Sequence, residues 1–312
     1  MPDGAAVHTG FSNTYQAAGR PDREEIVMRK KEREGQIISP AGRAVRWFFA
    51  IVLFLYTLIT FMVLGATLLD SFKTKSDLIM NMFGLPEQFV WDSYRQILLE
   101  DQFGRYFGNS LIVTGCGTFL CIMLAAMTAY GISRYQFKGK QGVTMYFLVG
   151  MMFPIQVSVL PLFLILKNFG LLNNLIGMIV IYSAGISLPV YVFSRFFHTV
   201  PTSLDESARL DGAGEFTIFS RIILPICKPV IFTIALITAI GEWNDFYLPM
   251  VMLGKKSVRT LTLAIYKYST EFLKYMNVSF AAVVITLVPI LILYCFFSRQ
   301  IVEGLSGGAV KG

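Results

Sequence analysis

The sequence predicts an all-α integral membrane protein with six transmembrane helices, and three observations carry that prediction. Hydrophobic residues make up 54% of the 312 and charged residues 15%, with a mean hydropathy of +0.59. A soluble domain of this length needs a more charged surface. Five long stretches contain no Asp, Glu, Lys or Arg, and each exceeds the roughly 20 residues a helix needs to cross a bilayer. Backbone amides in hydrocarbon must be satisfied within the span, so these stretches read as helices.

Taken in order, residues 1–40 form a polar tail, dense in charge between Asp3 and Glu34 and helical at most around Arg23–Glu34. Spans follow at about 46–70, 106–133, 141–166, 171–194, 229–253 and 275–298. The first lies between Arg46 and Asp70 and is long enough to stay in the membrane rather than act as a cleaved leader. The third contains Pro154 and Pro161, which predict kinks, either beside a cavity or as a matter of packing. The fifth starts at Pro229 and meets Glu242 and Asp245 before it ends. Cys116, Cys121, Cys227 and Cys295 show neither a metal spacing nor a disulfide framework and read as small hydrophobes.

Orientation follows from the basic residues. With the N-terminus inside, the cytoplasmic segments 1–46, 134–140, 195–228 and 299–312 hold 17 lysines and arginines, against 10 outside. Both termini are therefore expected in the cytoplasm. The net charge of +7 reads as a topogenic signal and not as a nucleic-acid surface. The outer segment 254–274 is the exception: its five basic residues face the single acid Glu271. It fits an acidic face on a binding protein or an anionic sugar. His198, beside Arg195, reads as an interfacial or capping residue ahead of a proton relay.

The segment 199–226 is the longest polar interruption in the second half of the chain. Pro201 stops the preceding helix, and Ser203 with Glu206 has capping-box spacing. Leu204, Ala208 and Leu210 are expected to share a helical surface, and Asp211-Gly212 to end that helix. A second helix starts near Gly214, carries Phe216 and Phe219, and closes at Pro225. Two short helices about a glycine make a knob that something soluble can grip.

Glu206-Ser207-Ala208, then Asp211-Gly212, Phe219, Ile222, Leu224 and Pro225, resemble the EAA signature of permease subunits of bacterial ABC importers. Ser207 replaces an alanine, a small-for-small change. The resemblance runs from about residue 41 to the end and is closest to MalG-like permeases of carbohydrate importers. It is carried also by Asn109-Ser110, by Pro154-x-Gln156 through Pro161, by Gly170-Leu-Leu-Asn-Asn, and by Trp243-Asn-Asp-Phe-Tyr-Leu-Pro249. It implies a type I ABC importer permease fold in the bacterial cytoplasmic (inner) membrane, with residues 41–312 as the permease domain and 199–226 as coupling helices. Glu206, Ser207, Ala208, Asp211, Gly212, Phe219, Leu224 and Pro225 are then the coupling residues. The Gly-rich end, with Gly304, Gly307, Gly308 and Lys311 in 299–312, resembles a tail that reaches into the ATPase interface. The implied partners are a second, MalF-like permease subunit, two copies of an ATPase, an extracytoplasmic solute-binding protein and membrane lipid.

No Gly-x-x-x-x-Gly-Lys-Ser/Thr loop occurs. Gly139-Lys140-Gln141 lacks both the upstream glycine and the hydroxyl residue. The chain is thus expected to bind no cofactor and to be no enzyme, with ATP and Mg used by the partner ATPases. Intramembrane acids are costly and tend to face a pathway or a partner. Gln156, Glu242, Trp243, Asn244 and Asp245 are therefore the candidate substrate path, offering carboxylate, amide and aromatic contacts; helix packing is the competing role for them. Two other classes stay open on residues alone. An intramembrane enzyme would have Glu242 and Asp245 as its only acid pair. A secondary transporter would be expected to show repeats of short broken helices.

Overall fold

The computed structural model describes residues 40–82, 84–100 and 102–307, and every regular element among them is helical. The expected polar tail lies outside the described residues. The chain divides into two units, Met1–Val63 and Leu64–Gly312. In the first, the described residues form the start of α1 (Pro40–Asp70), where Trp47, Phe54, Tyr56 and Phe61 are all exposed. A helix that is apolar on every side has the surface that lipid solvates.

The second unit is organised by α4 (Phe103–Arg134). It packs against α7 (Leu175–Ser183), α8 (Ser187–Phe197), α11 (Lys228–Asn244) and α13 (Leu261–Thr270). The last helix, α14 (Met276–Gly307), lies on α11 and α13. Ala125, Ala126 and Ala129 of α4 are fully buried, and such small side chains let neighbouring backbones approach closely. They belong to one cluster with Phe193 and Phe197 of α8 and Ile218, Phe219 and Ile223 of the 199–226 segment. A second cluster joins Val113, Met178, Tyr182, Leu248 and Met252.

Among the described residues three helices are long and apolar enough to cross a membrane: Gly42–Asp70, Phe103–Arg134 and Met276–Phe297. The number rises to six if each bent pair counts as one span. The expected third span carries the kink predicted at Pro154, and other expected spans are bent as well. Residues 141–166 are two helices, α5 (Lys140–Met152) and α6 (Ile155–Asn168), at 103° to each other. Phe153 takes the extended backbone that a residue before proline favours, and Pro154 starts α6, whereas Pro161 sits inside α6 without ending it. Residues 171–194 divide into α7 and α8, bent by 40°. The fifth span ends at Asn244 instead of 253: Asp245 is extended, and a short helix, α12 (Tyr247–Met252), follows.

Candidate functional site

The 199–226 segment folds as a knob of two helices, α9 (Ser203–Leu210) and α10 (Glu215–Ile226). The capping box is not formed. Thr202 is the N-cap residue, no side chain caps the helix, and the Glu206 amide donates to the Thr202 carbonyl at 3.1 Å. The far end is as expected. Gly212 has φ +82°; its amide donates to the Arg209 carbonyl at 3.0 Å and the Ala213 amide to the Ala208 carbonyl at 2.9 Å. These are the two bonds of a Schellman motif, which requires the left-handed conformation that glycine adopts freely.

The helix periodicity sorts the predicted coupling residues into two faces. Ala208 and Phe219 are buried and Leu224 half-buried, so these three seat the knob on the bundle. Glu206, Ser207, Asp211, Gly212 and Pro225 are exposed. Leu210 does not share the surface of Ala208: it is 89% exposed, and Phe216 is 70% exposed. Two large apolar side chains thus stand free among Glu206, Asp211 and Glu215.

What fixes the knob was not among the residues singled out from sequence. Arg134, at the end of α4, forms a buried ion pair with Asp205 of α9 at 2.8 Å. It also donates from Nη1 to the Val200 carbonyl at 2.9 Å. On the other side Glu215 accepts from Arg209 at 2.8 Å, and from the hydroxyls of Tyr130 and Tyr135. Those hydrogen bonds, Arg209 first and Tyr135 next, hold the Glu215 carboxyl down to about 2. Arg209 is pushed up in turn, mainly by its bond to Glu215. Tyr135 is raised by burial and then by Glu215.

The acidic group in the fifth span is used mostly within the chain. Glu242 accepts from Thr118 Oγ1 at 3.0 Å. Asp245 accepts from Tyr182 at 2.9 Å and from the amides of Tyr247 and Leu248 at 2.9 and 3.3 Å, which starts α12. Trp243 is buried, and its carbonyl accepts from Thr262 at 2.7 Å. Gly117 makes the arrangement possible: a Cβ there would stand 2.9 Å from Tyr182 Cβ and 3.0 Å from Glu242 Oε2. Asn244 differs in being exposed, bonded only back to the Ile240 carbonyl at 2.9 Å. It lines an open hollow of about 260 Å³ with Phe246, Thr262, Tyr266 and Ser269. The Phe246 and Tyr266 rings stack at 5.0 Å and are partly exposed. Gln156 is exposed on the first turn of α6, and no hydrogen bond among the described residues ties it to this group.

Two further sequence features find local reasons. Asn109 donates to the carbonyls of Ser257 and Arg259 at 3.0 and 2.9 Å, and Ser110 accepts from the Leu261 amide at 2.8 Å, so the pair pins the basic 254–274 segment to α4. Asn173 holds the end of α12 through its amide on the Met252 carbonyl at 3.0 Å and its side chain on the Lys255 amide at 2.9 Å. Gly304 and Gly307, expected in a separate tail, lie in the continuation of α14, while Gly308 and Lys311 fall outside the described residues. Among the described residues no group of His, Cys, Asp and Glu could hold a metal ion.

Long apolar helices together with bent ones are the elements of an integral membrane protein. Residues 120–305 match the family of binding-protein-dependent transport system inner membrane components. The diacetylchitobiose uptake system permease protein NgcG of Streptomyces coelicolor is 33% identical over 283 residues, 88% of this chain and 93% of that one. The multiple sugar-binding transport system permease protein MsmG of Streptococcus mutans is 34% identical over 80% of this chain and 91% of its own. A chain of a bacterial ABC transporter involved in the import of the acidic polysaccharide alginate superposes with a TM-score of 0.73 over 84% of this chain and 98% of that one, at 22% identity. The chain belongs to the binding-protein-dependent transport system inner membrane component family. It is a transport subunit and not an enzyme.

Proposed function

We propose that this chain is the permease subunit of an ATP-driven importer that carries a sugar or oligosaccharide across the bacterial cytoplasmic membrane. Six spans, with both termini and the knob in the cytoplasm, complete the type I importer fold. The observation that carries the reading is the two-faced knob. It is seated by Ala208, Phe219 and the buried Arg134–Asp205 pair, and presents Leu210 and Phe216 outward. Exposed apolar side chains on a rigid polar support mark a protein contact. The occupant is one of two ATPase subunits, which use ATP and Mg and move the permease between two states. The end of the chain past Gly304 meets the same subunits. A second, MalF-like permease completes the pathway, and a solute-binding protein delivers the cargo at the outer mouth.

On the substrate side, the hydrogen-bond geometry supports a narrower path than the one expected from sequence. Glu242, Trp243 and Asp245 hold α4, α7, α11 and α12 together, and the sugar meets Asn244 and the Phe246–Tyr266 stack. Amide groups can hydrogen-bond sugar hydroxyls, and aromatic faces accept sugar C–H faces. Transport by the reconstituted complex tests this. Asn244→Ala and Tyr266→Ala should each cut sugar uptake about tenfold, the loss of roughly 1.4 kcal/mol of contact, while assembly and basal ATP hydrolysis persist. Normal uptake in both variants at normal expression would remove the pathway role.

A further inference from the structure

A cleft of about 210 Å³ opens between the end of α4, the start of α5 and the end of α8. Its rim carries Lys140, Arg195 and His198, and no carboxylate lines it. The neighbouring knob acids are committed elsewhere, Asp205 to Arg134 and Glu215 to Arg209. Lys140 Nζ donates only to the Tyr135 carbonyl, at 3.2 Å, and the Arg195 guanidinium lies over the Tyr191 ring at 5.5 Å. Ser194 also lines the cleft; the residue is 9% exposed, yet its Oγ has no hydrogen-bond partner. Burial, and next Lys140, Arg134 and Arg195, hold His198 below the ordinary imidazole range.

We propose that this cleft binds the phosphate of an anionic phospholipid, with Lys140, Arg195 and His198 around the anion. The rest of the lining is largely apolar, with Ile132, Phe147, Leu148 and Val190. A soluble phosphate would use the rim alone. A lipid headgroup uses the rim and lays its acyl stem on the wall, which is how basic pockets at the ends of membrane helices select anionic lipid. The proposal is independent of which side of the membrane the knob occupies and of whether it receives an ATPase.

The test is lipid retention by the full chain in its assembled complex, purified from membranes and measured by native mass spectrometry. Nanodiscs of phosphatidylglycerol and phosphatidylcholine in equal amounts supply the probes. The wild-type chain should favour phosphatidylglycerol, and Lys140→Gln with Arg195→Gln should lower that preference by about fivefold for each cation removed. Thr144→Leu, which narrows the cleft without touching a charge, should lower retention in the same way and covers the case in which the double variant fails to fold. Unchanged preference in a folded variant would overturn the site. So would displacement of the retained lipid by millimolar inorganic phosphate, because the ligand would then be a soluble anion.

Discussion

Arg134 and Asp205 are the side chains through which α4 holds the knob. Their pairing is buried and only partly satisfied, since Asp205 Oδ1 and Arg134 Nη2 have no hydrogen-bond partner. Removing one member of such a pair strands a charge and costs about 3–5 kcal/mol, whereas replacing both by apolar groups can be neutral. Asp205→Asn should therefore lower the thermal stability of the purified complex far more than Arg134→Leu combined with Asp205→Leu, and that double change set against Arg134→Leu and Asp205→Leu alone gives the coupling energy. Glu215 responds to pH instead. Its folded pKa of about 2 lies below the ordinary 4.5, so its contribution is full above about pH 4.5 and fades as the pH falls toward 2. The Arg209–Glu215 pair is well exposed, so the effect is small. Denaturant midpoints of the wild-type complex and of Glu215→Gln should accordingly converge over that interval. Neither set of partners is legible in the sequence, because Arg134 and Tyr130 lie far along the chain from Asp205 and Glu215 and no spacing announces the contacts.

Among the elements, the end of α9 was the most legible. Asp211-Gly212 reads as a helix stop, and the glycine takes φ +82° with open space about its absent Cβ. That combination separates backbone from contact. Gly212→Val should strain the turn by about 1–2 kcal/mol, and Gly212→Asn by much less, because asparagine visits the left-handed region more readily. If the empty space is filled by a partner, both substitutions should uncouple ATP hydrolysis from transport although only the valine destabilises the knob. Sugar-stimulated ATPase activity in the assembled variants reads the difference. The apolar runs disclosed where helices exist but hid where they break. Pro154 and Pro161 look alike in sequence, yet one opens a 103° bend and the other rides inside α6. Composition is equally apolar on both sides of the bend, so it carries no sign of the turn. The Ser203–Glu206 spacing failed for a related reason: the chain enters α9 through Thr202, and backbone amides bond to the Thr202 carbonyl in place of a side-chain cap.

For the whole molecule, the proposed coupling requires a physical connection between the knob and the proposed transport path. Phe219 packs on Tyr130 of α4 at 5.3 Å between ring centroids, and the same helix carries Thr118, which meets Glu242. One helix therefore touches both the knob and the proposed transport path. The central claim is that an ATPase subunit grips the outward face of the knob. Leu210 and Phe216 are 89% and 70% exposed, so Leu210→Ser with Phe216→Ser should leave the fold and membrane insertion intact. The decisive measurement is the amount of ATPase subunit that co-purifies with the tagged permease carrying this double change. Loss of most of the ATPase from a normally inserted permease is the predicted result. ATPase retained at wild-type stoichiometry, with sugar-stimulated hydrolysis unchanged, would contradict it.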